Sequence, residues 1–269
     1  MLQGPWAFSW VETSAFQSMD NKPRMRDCLG EVEVMELVLI TGHSSGLGLE
    51  LAHAYLERDA TVIGMARRSI NSKNPRLYQF RFDLSRGGNW EDKLRESLPR
   101  QDWSRVLLIN CAGTIAPTAF YGGMEGIQIS RSLELNVAAP LRLMNILMAV
   151  YKDKPLRICN ISSGAAHSAY QGWSVYCSSK AALFMASQVL AAEMEAANAD
   201  VRIISYRPGP IDTPMQTELR KKKPEDFPQV DRFIQLHNEG KLVSPNTAAL
   251  DLMNQLDRSD LPYFLDYKL

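Results

Sequence analysis

From Glu36 onward, short apolar runs alternate with stretches of helical periodicity, and this alternation constrains the fold more than any other feature of the chain. The pattern predicts strands over Glu36–Thr41, Thr61–Ala66, Leu77–Phe82, Val106–Asn110, Leu156–Ile161, Val201–Tyr206 and Tyr263–Leu265. Helices are predicted over Leu47–Arg58, Trp90–Leu98, about Gly126 to Tyr151, Ser174–Ala197 and Thr247–Gln255. Strands that alternate with helices require right-handed crossovers, which line the strands up in parallel and cover both faces of the sheet. The expectation is therefore one α/β domain, residues 35–269, with a mainly parallel, doubly wound, seven-stranded sheet. The stretch from Pro214 to Ser244 breaks the rhythm and is expected to form a lid over a ligand site. Residues 1–34 have no clear period and read as an irregular extension, with Met35 an alternative start.

Composition narrows the function. Lysine plus arginine balance aspartate plus glutamate at 30 each, so charge offers no case for nucleic-acid binding. None of the four cysteines, Cys28, Cys111, Cys159 and Cys177, forms a C-x-x-C pair, and His53, His167 and His237 are scattered. No metal site is expected, and a reducing, cytoplasmic setting fits. No apolar run is expected to span a membrane, and no signal peptide is expected.

The first strand runs into Thr41-Gly42-His43-Ser44-Ser45-Gly46-Leu47-Gly48, where the next helix begins. Glycines in a strand–turn–helix unit let a backbone approach a pyrophosphate, while the helix N-terminus presents free N–H groups and a positive dipole. The spacing is G-x-x-x-G-x-G rather than G-x-G-x-x-G, and its place between a strand and a helix favours a Rossmann-type dinucleotide site over the alternative, a glycine-rich turn with no ligand. Gly42, Ser44, Ser45, Gly46, Leu47 and Gly48 are the candidate phosphate cradle, and His43 either contacts phosphate or packs. The second strand ends in Arg67-Arg68 with no acid. An acid there would bind a ribose 2′-hydroxyl, whereas an arginine accommodates a 2′-phosphate, so NADP(H) is expected over NAD(H). Asp83, after the third strand, is a candidate for the adenine amino group or a local cap.

Tyr176 and Lys180 stand four residues apart on an alanine-rich helix and so share a face. A phenol is a poor acid at neutral pH, and a nearby ammonium favours the phenolate. The pair suits proton donation to a developing alkoxide. Ser163, at the end of the fifth strand, is placed to orient a carbonyl.

Together with Asn136 and Asn110-Cys111-Ala112-Gly113, these motifs make the chain resemble the short-chain dehydrogenase/reductase family over about residues 36–269. The resemblance implies a catalytic set of Asn136, Ser163, Tyr176 and Lys180, with Asn136 holding a water that relays protons through Lys180. It implies cofactor contacts from Asn110, Ala112, Gly113, Tyr176, Lys180, Pro208, Gly209, Ile211 and Thr213. The wording Gly172-Trp173, Pro214-Met215-Gln216 and Phe264-Leu265-Asp266-Tyr267 is most similar to sepiapterin reductase and benzil reductase-like members. That likeness implies Asp266 as a substrate residue, the alternative being a solvated acid in the tail; Ser163 is the candidate at the carbonyl, and Trp173, Tyr170 and Met215, which stand next to the catalytic motifs, either line an apolar pocket or pack in the core. The implied activity is NADPH-dependent reduction of a small-molecule ketone, diketone or aldehyde by a homodimer or homotetramer. An NAD-linked alcohol dehydrogenase and a non-catalytic NADP-binding module are the alternatives. The family's NADP users often carry a basic residue where this chain has Ser45, so the cofactor expectation rests on Arg67 and Arg68.

Overall fold

A computed structural model describes residues 35–88 and 90–269. The N-terminal extension and Cys28 lie outside the described residues. Seven strands form one sheet: β1 (Glu36–Thr41), β2 (Thr61–Ala66), β3 (Leu77–Arg81), β4 (Arg105–Asn110), β5 (Leu156–Ile161), β6 (Val201–Arg207) and β7 (Phe264–Lys268). All neighbours pair in parallel, in the order β3-β2-β1-β4-β5-β6-β7. The order reverses between β1 and β4, and the carboxyl ends of strands flanking such a switch point leave a ligand crevice.

Side chains along β1 point alternately to the two faces, as strand geometry requires. Leu37 and Leu39 enter one core with Val106 and Leu108 of β4. Val38 and Ile40 enter the other with Leu107 and Ile109. The first core is covered by α2 (Trp90–Ser97), α4 (Ala139–Val150) and α5 (Ser174–Ala196), the second by α1 (Gly46–Glu57) and α8 (Pro245–Leu256). Helix α8 starts two residues before the predicted Thr247 because the Ser244 hydroxyl accepts from the Thr247 N–H at 3.0 Å and Pro245 occupies the first turn.

Helix α3 (Gly126–Leu133) runs through a π-helical turn, Glu134–Ala138, into α4. The resulting rod, Gly126–Val150, is long and apolar enough to match a membrane span, with mean hydropathy 1.4. This departs from the expectation that no such run exists. Part of its apolar character serves the core: Ala139, Leu143, Ile146 and Leu147 are fully buried against the sheet, while Ile127, Leu133 and Leu141 are exposed.

The segment expected to form a lid contains α6 (Pro214–Leu219) and α7 (Val230–Asn238). Its two ends are joined by a parallel bridge between Ile211 and Val243. Leu219, Phe227, Val230 and Phe233 pack with Ile115, Trp173 and Tyr176 into a third, smaller apolar cluster above the sheet's carboxyl edge.

Candidate active site

A cleft of about 760 Å³ opens at that edge. One end is made of backbone. Gly42, Ser44, Ser45, Gly46 and Leu47 line it. Ser45 caps α1 in an extended conformation without a side-chain hydrogen bond, and the first turn of α1 carries no acid. Its N–H groups and dipole are therefore free to meet an anion. Gly46 has φ +54, and a Cβ there would lie 3.0 Å from the Thr213 methyl. The glycine thus admits the loop after β6 against the turn. Thr41 fixes the floor, its hydroxyl accepting from the Cys111 and Ala112 N–H groups, both at 3.0 Å. These features fit a dinucleotide: an uncapped helix end for pyrophosphate, and glycines where side chains would block approach.

Arg67, Arg68 and Asp83 stand at the same end of the cleft, and both arginines are exposed. Burial would raise the Asp83 carboxyl, but Ser85, Arg67 and Arg86 together hold it below its ordinary value. Ser85 donates to it through its hydroxyl at 2.6 Å and its N–H at 3.1 Å, so Asp83 is also a turn cap. Ala112, Gly113, Pro208, Gly209, Ile211 and Thr213 line the middle of the cleft.

At the other end, Ser163, Tyr176, Trp173 and Met215 share the wall with Tyr170. Ser163 follows β5 and caps a short turn, accepting from the Ala165 N–H at 3.2 Å. Lys180 lies one turn beyond Tyr176, its Nζ 5.7 Å from the phenol ring centroid and donating to the Ile161 carbonyl at 2.7 Å. Lys180 and Asn136 are buried behind the wall rather than lining it. Both flank Gly113, where a Cβ would lie 3.3 Å from Asn136 Oδ1 and 3.9 Å from Lys180 Nζ. Asn136 sits in the π-helical turn and grips the backbone of Thr114, accepting from its N–H at 2.9 Å and donating to its carbonyl at 2.8 Å. It also donates to Ser179 at 3.1 Å, which joins the rod to α5.

The electrostatics depart from the sequence reading. Tyr176 is not lowered by Lys180: burial pushes its phenol up to about 12, against the opposing pull of the Ser163 hydroxyl. Burial also pushes the Lys180 ammonium down to about 8. Both shifts favour the neutral forms, because removal from water penalises each charged one.

Three other expected positions lie off the cleft surface. Asn110 is buried behind it, donating to Asn160 at 2.8 Å and so tying β4 to β5. Gly48 packs the helix onto the turn, where a Cβ would lie 2.5 Å from the Gly42 carbonyl oxygen. Asp266 is on β7, and its carboxylate is held by Arg207 through two hydrogen bonds of 3.1 and 2.9 Å. Arg207 lines the cleft and Asp266 does not. His43 packs: it is buried against β2 and does not line the cleft. The sequence reading missed Arg131 on α3, and Arg232 and Phe233 on α7. The only signal for the last two was the amphipathic pattern of Val230–Asn238.

Comparison with known proteins bears on the same residues. Residues 36–224 match the short chain dehydrogenase family. The chain is 36% identical over 240 residues to a benzil reductase ((S)-benzoin forming) of Bacillus cereus, covering 85% of this chain and 96% of that protein. It is 32% identical over 242 residues to the sepiapterin reductase of Meriones unguiculatus, covering 82% and 90%. A short-chain dehydrogenase structure from Streptomyces avermitilis superposes with a TM-score of 0.69 at 25% identity, covering 88% of this chain and 89% of that one. With its glycine turn, Tyr–Lys helix and switch-point cleft, the chain belongs to the short-chain dehydrogenase family, nicotinamide-dependent oxidoreductases, and is related within it to benzil and sepiapterin reductases.

Proposed function

We propose that this protein is an NADPH-dependent carbonyl reductase acting on ketones or 1,2-diketones with an aromatic substituent. The observation that carries the reading is the phenol of Tyr176, buried at the cleft wall beside Ser163 with Lys180 one turn behind it. When bound in the cleft, NADPH would supply hydride for the carbonyl carbon. Ser163 donates a hydrogen bond to the carbonyl oxygen and holds it near the phenol. Tyr176 gives its proton to that oxygen as negative charge develops there. The phenolate left behind is stabilised by the protonated form of Lys180, whose ammonium burial pushes down to about 8. A water near Asn136 returns a proton through Lys180. Arg67 and Arg68 would hold the 2′-phosphate, and the absence of an acid at the end of β2, where Arg67-Arg68 follow, supports NADPH over NADH.

The aromatic preference rests on the substrate end. Trp173 stacks on Phe227 with ring centroids 4.4 Å apart and meets Tyr176 edge-on at 5.1 Å, with Phe233 at 5.8 Å. Such a wall favours flat apolar groups. The reading includes a homodimer or homotetramer through α3, α4 and α5, supported by the exposed apolar side chains of Ile127, Leu133, Leu141, Met185 and Val189. Light scattering tests that part.

The activity is tested by following cofactor oxidation with benzil, sepiapterin and propionaldehyde side by side, each with NADPH and with NADH. Turnover of benzil with NADPH as the better cofactor is expected. Cofactor binding without reduction of any substrate would make the protein a binding module, and NADH preference would remove the role given to Arg67 and Arg68.

A further inference from the structure

We infer that Gln79 is a positioning residue for cofactor choice: it latches the segment carrying Arg67 and Arg68 to the phosphate-binding turn through His43. The inference rests on the proposal that those arginines hold a 2′-phosphate. It explains three residues that the reaction itself leaves unused.

Gln79 lies in the middle of the edge strand β3, between β2 and solvent. Both its amide oxygen and its amide nitrogen are engaged. Oε1 accepts from the Ile70 N–H at 2.7 Å, and Nε2 donates to the Ile70 carbonyl at 3.0 Å. This paired exchange is the one a further strand would make. Among the described residues, Ile70 is the only member of the segment 67–73 whose backbone is hydrogen-bonded to a strand. The segment begins with two exposed arginines, so this anchor limits where their guanidinium groups can stand.

The same Oε1 meets His43 Nε2 at 2.9 Å. An amide oxygen only accepts, so Nε2 carries the imidazole proton. His43 is 1% exposed and belongs to the glycine turn, between Gly42 and Ser44, which both line the cleft. Its ring lies over Gly64 in β2, where a Cβ would come within 2.4 Å of the ring Cγ. The missing side chain at position 64 creates the space that lets the histidine turn inward. The turn, β2 and β3 are thus joined through His43, Gly64 and Gln79. The two ends of the cofactor's phosphate-binding surface become one unit.

The test is a fluorescence titration of NADPH and NADH binding to the parent, to Gln79→Met, to Arg67→Ser/Arg68→Ser, and to the triple variant. Methionine keeps the length of glutamine and removes its hydrogen bonds. Losing the latch is expected to weaken NADPH binding about tenfold, while NADH binding, which needs no 2′-phosphate contact, stays within about twofold. In the arginine-free background the same change is expected to leave both affinities unaltered. The NADH affinity and the melting temperature of Gln79→Met report whether the domain has folded. Equal loss of both cofactors would make Gln79 a purely structural residue and overturn the inference, as would an unchanged NADPH preference. A parent that binds NADH as tightly as NADPH would overturn the arginine assignment itself, and the latch with it. A parent that prefers NADPH beside a Gln79→Met protein with the same NADPH-to-NADH affinity ratio removes the latch alone.

Discussion

The two ends of the cleft are built in different ways. Apart from the Arg67, Arg68 and Asp83 side chains, the cofactor end consists of strand ends, glycines and backbone N–H groups contributed by the segments Thr41–Gly48, Cys111–Gly113 and Pro208–Thr213. The substrate end consists of side chains, chiefly Trp173, Tyr176 and Phe233, gathered from the start of α5 and from α7, with Phe227 packed behind them. Backbone recognition depends on conformation, which short motifs dictate. Side-chain recognition depends on long-range packing, which leaves room for a different set of substrates on the same frame.

Where the ends meet, Tyr176→Phe should have the largest effect. It is expected to lower kcat on the order of 10²–10⁴-fold, as loss of a general acid does, with NADPH affinity unchanged in a binding titration. Two glycine substitutions then separate the ends. Gly48→Ala drives a Cβ to 2.5 Å from the Gly42 carbonyl oxygen and should abolish measurable NADPH binding. Gly172→Ala, at φ +79 and with its Cβ 2.1 Å from the Asp226 carbonyl oxygen, displaces the segment around Asp226 and Phe227 and should raise KM for the carbonyl substrate while NADPH still binds. If Gly172→Ala harms NADPH binding as badly as Gly48→Ala, the two ends are not separately built. Within the cofactor end, Arg67→Ser should weaken NADPH by roughly ten- to a hundredfold, as expected for a charged hydrogen bond, and spare NADH. At the substrate end, Phe233→Leu should raise KM for benzil about fivefold and leave propionaldehyde unchanged, as the loss of one aromatic contact predicts.

The smallest expected effect is on stability. Lys180 loses its proton at about 8 in the folded chain and at an ordinary 10.5 when unfolded. Between those values the unfolded state binds more protons, so this residue's contribution to stability rises with pH. Melting curves of the cofactor-free protein should show that rise as a difference between the parent and Lys180→Met from pH 8 to 10. Identical pH profiles would mean that Lys180 is not desolvated.

Legibility followed the same division. The element order, the glycine turn and the Tyr176–Lys180 spacing are local and could be read directly. Asn110 could not be placed, since its pairing with Asn160 depends on the β4–β5 register. Asp266 was invisible as an ion-pair partner because Arg207 lies 59 residues away in sequence and meets it only through β6–β7 pairing. The direction of the Tyr176 shift was misjudged because charge proximity can be inferred from helix spacing whereas burial cannot. Arg232 and Phe233 reach the cleft only through the packing of α7 on Trp173 and Phe227.

The most direct test of the reductase assignment is the fate of the hydride. NADPH deuterated on the transferred face of nicotinamide C4, incubated with the protein and benzil, should yield benzoin with one deuterium on the new carbinol carbon. The deuterium content of the product equals that of the cofactor consumed if the account is correct. Benzoin formed without deuterium, or deuterated NADPH recovered unchanged beside unreduced benzil, would contradict it.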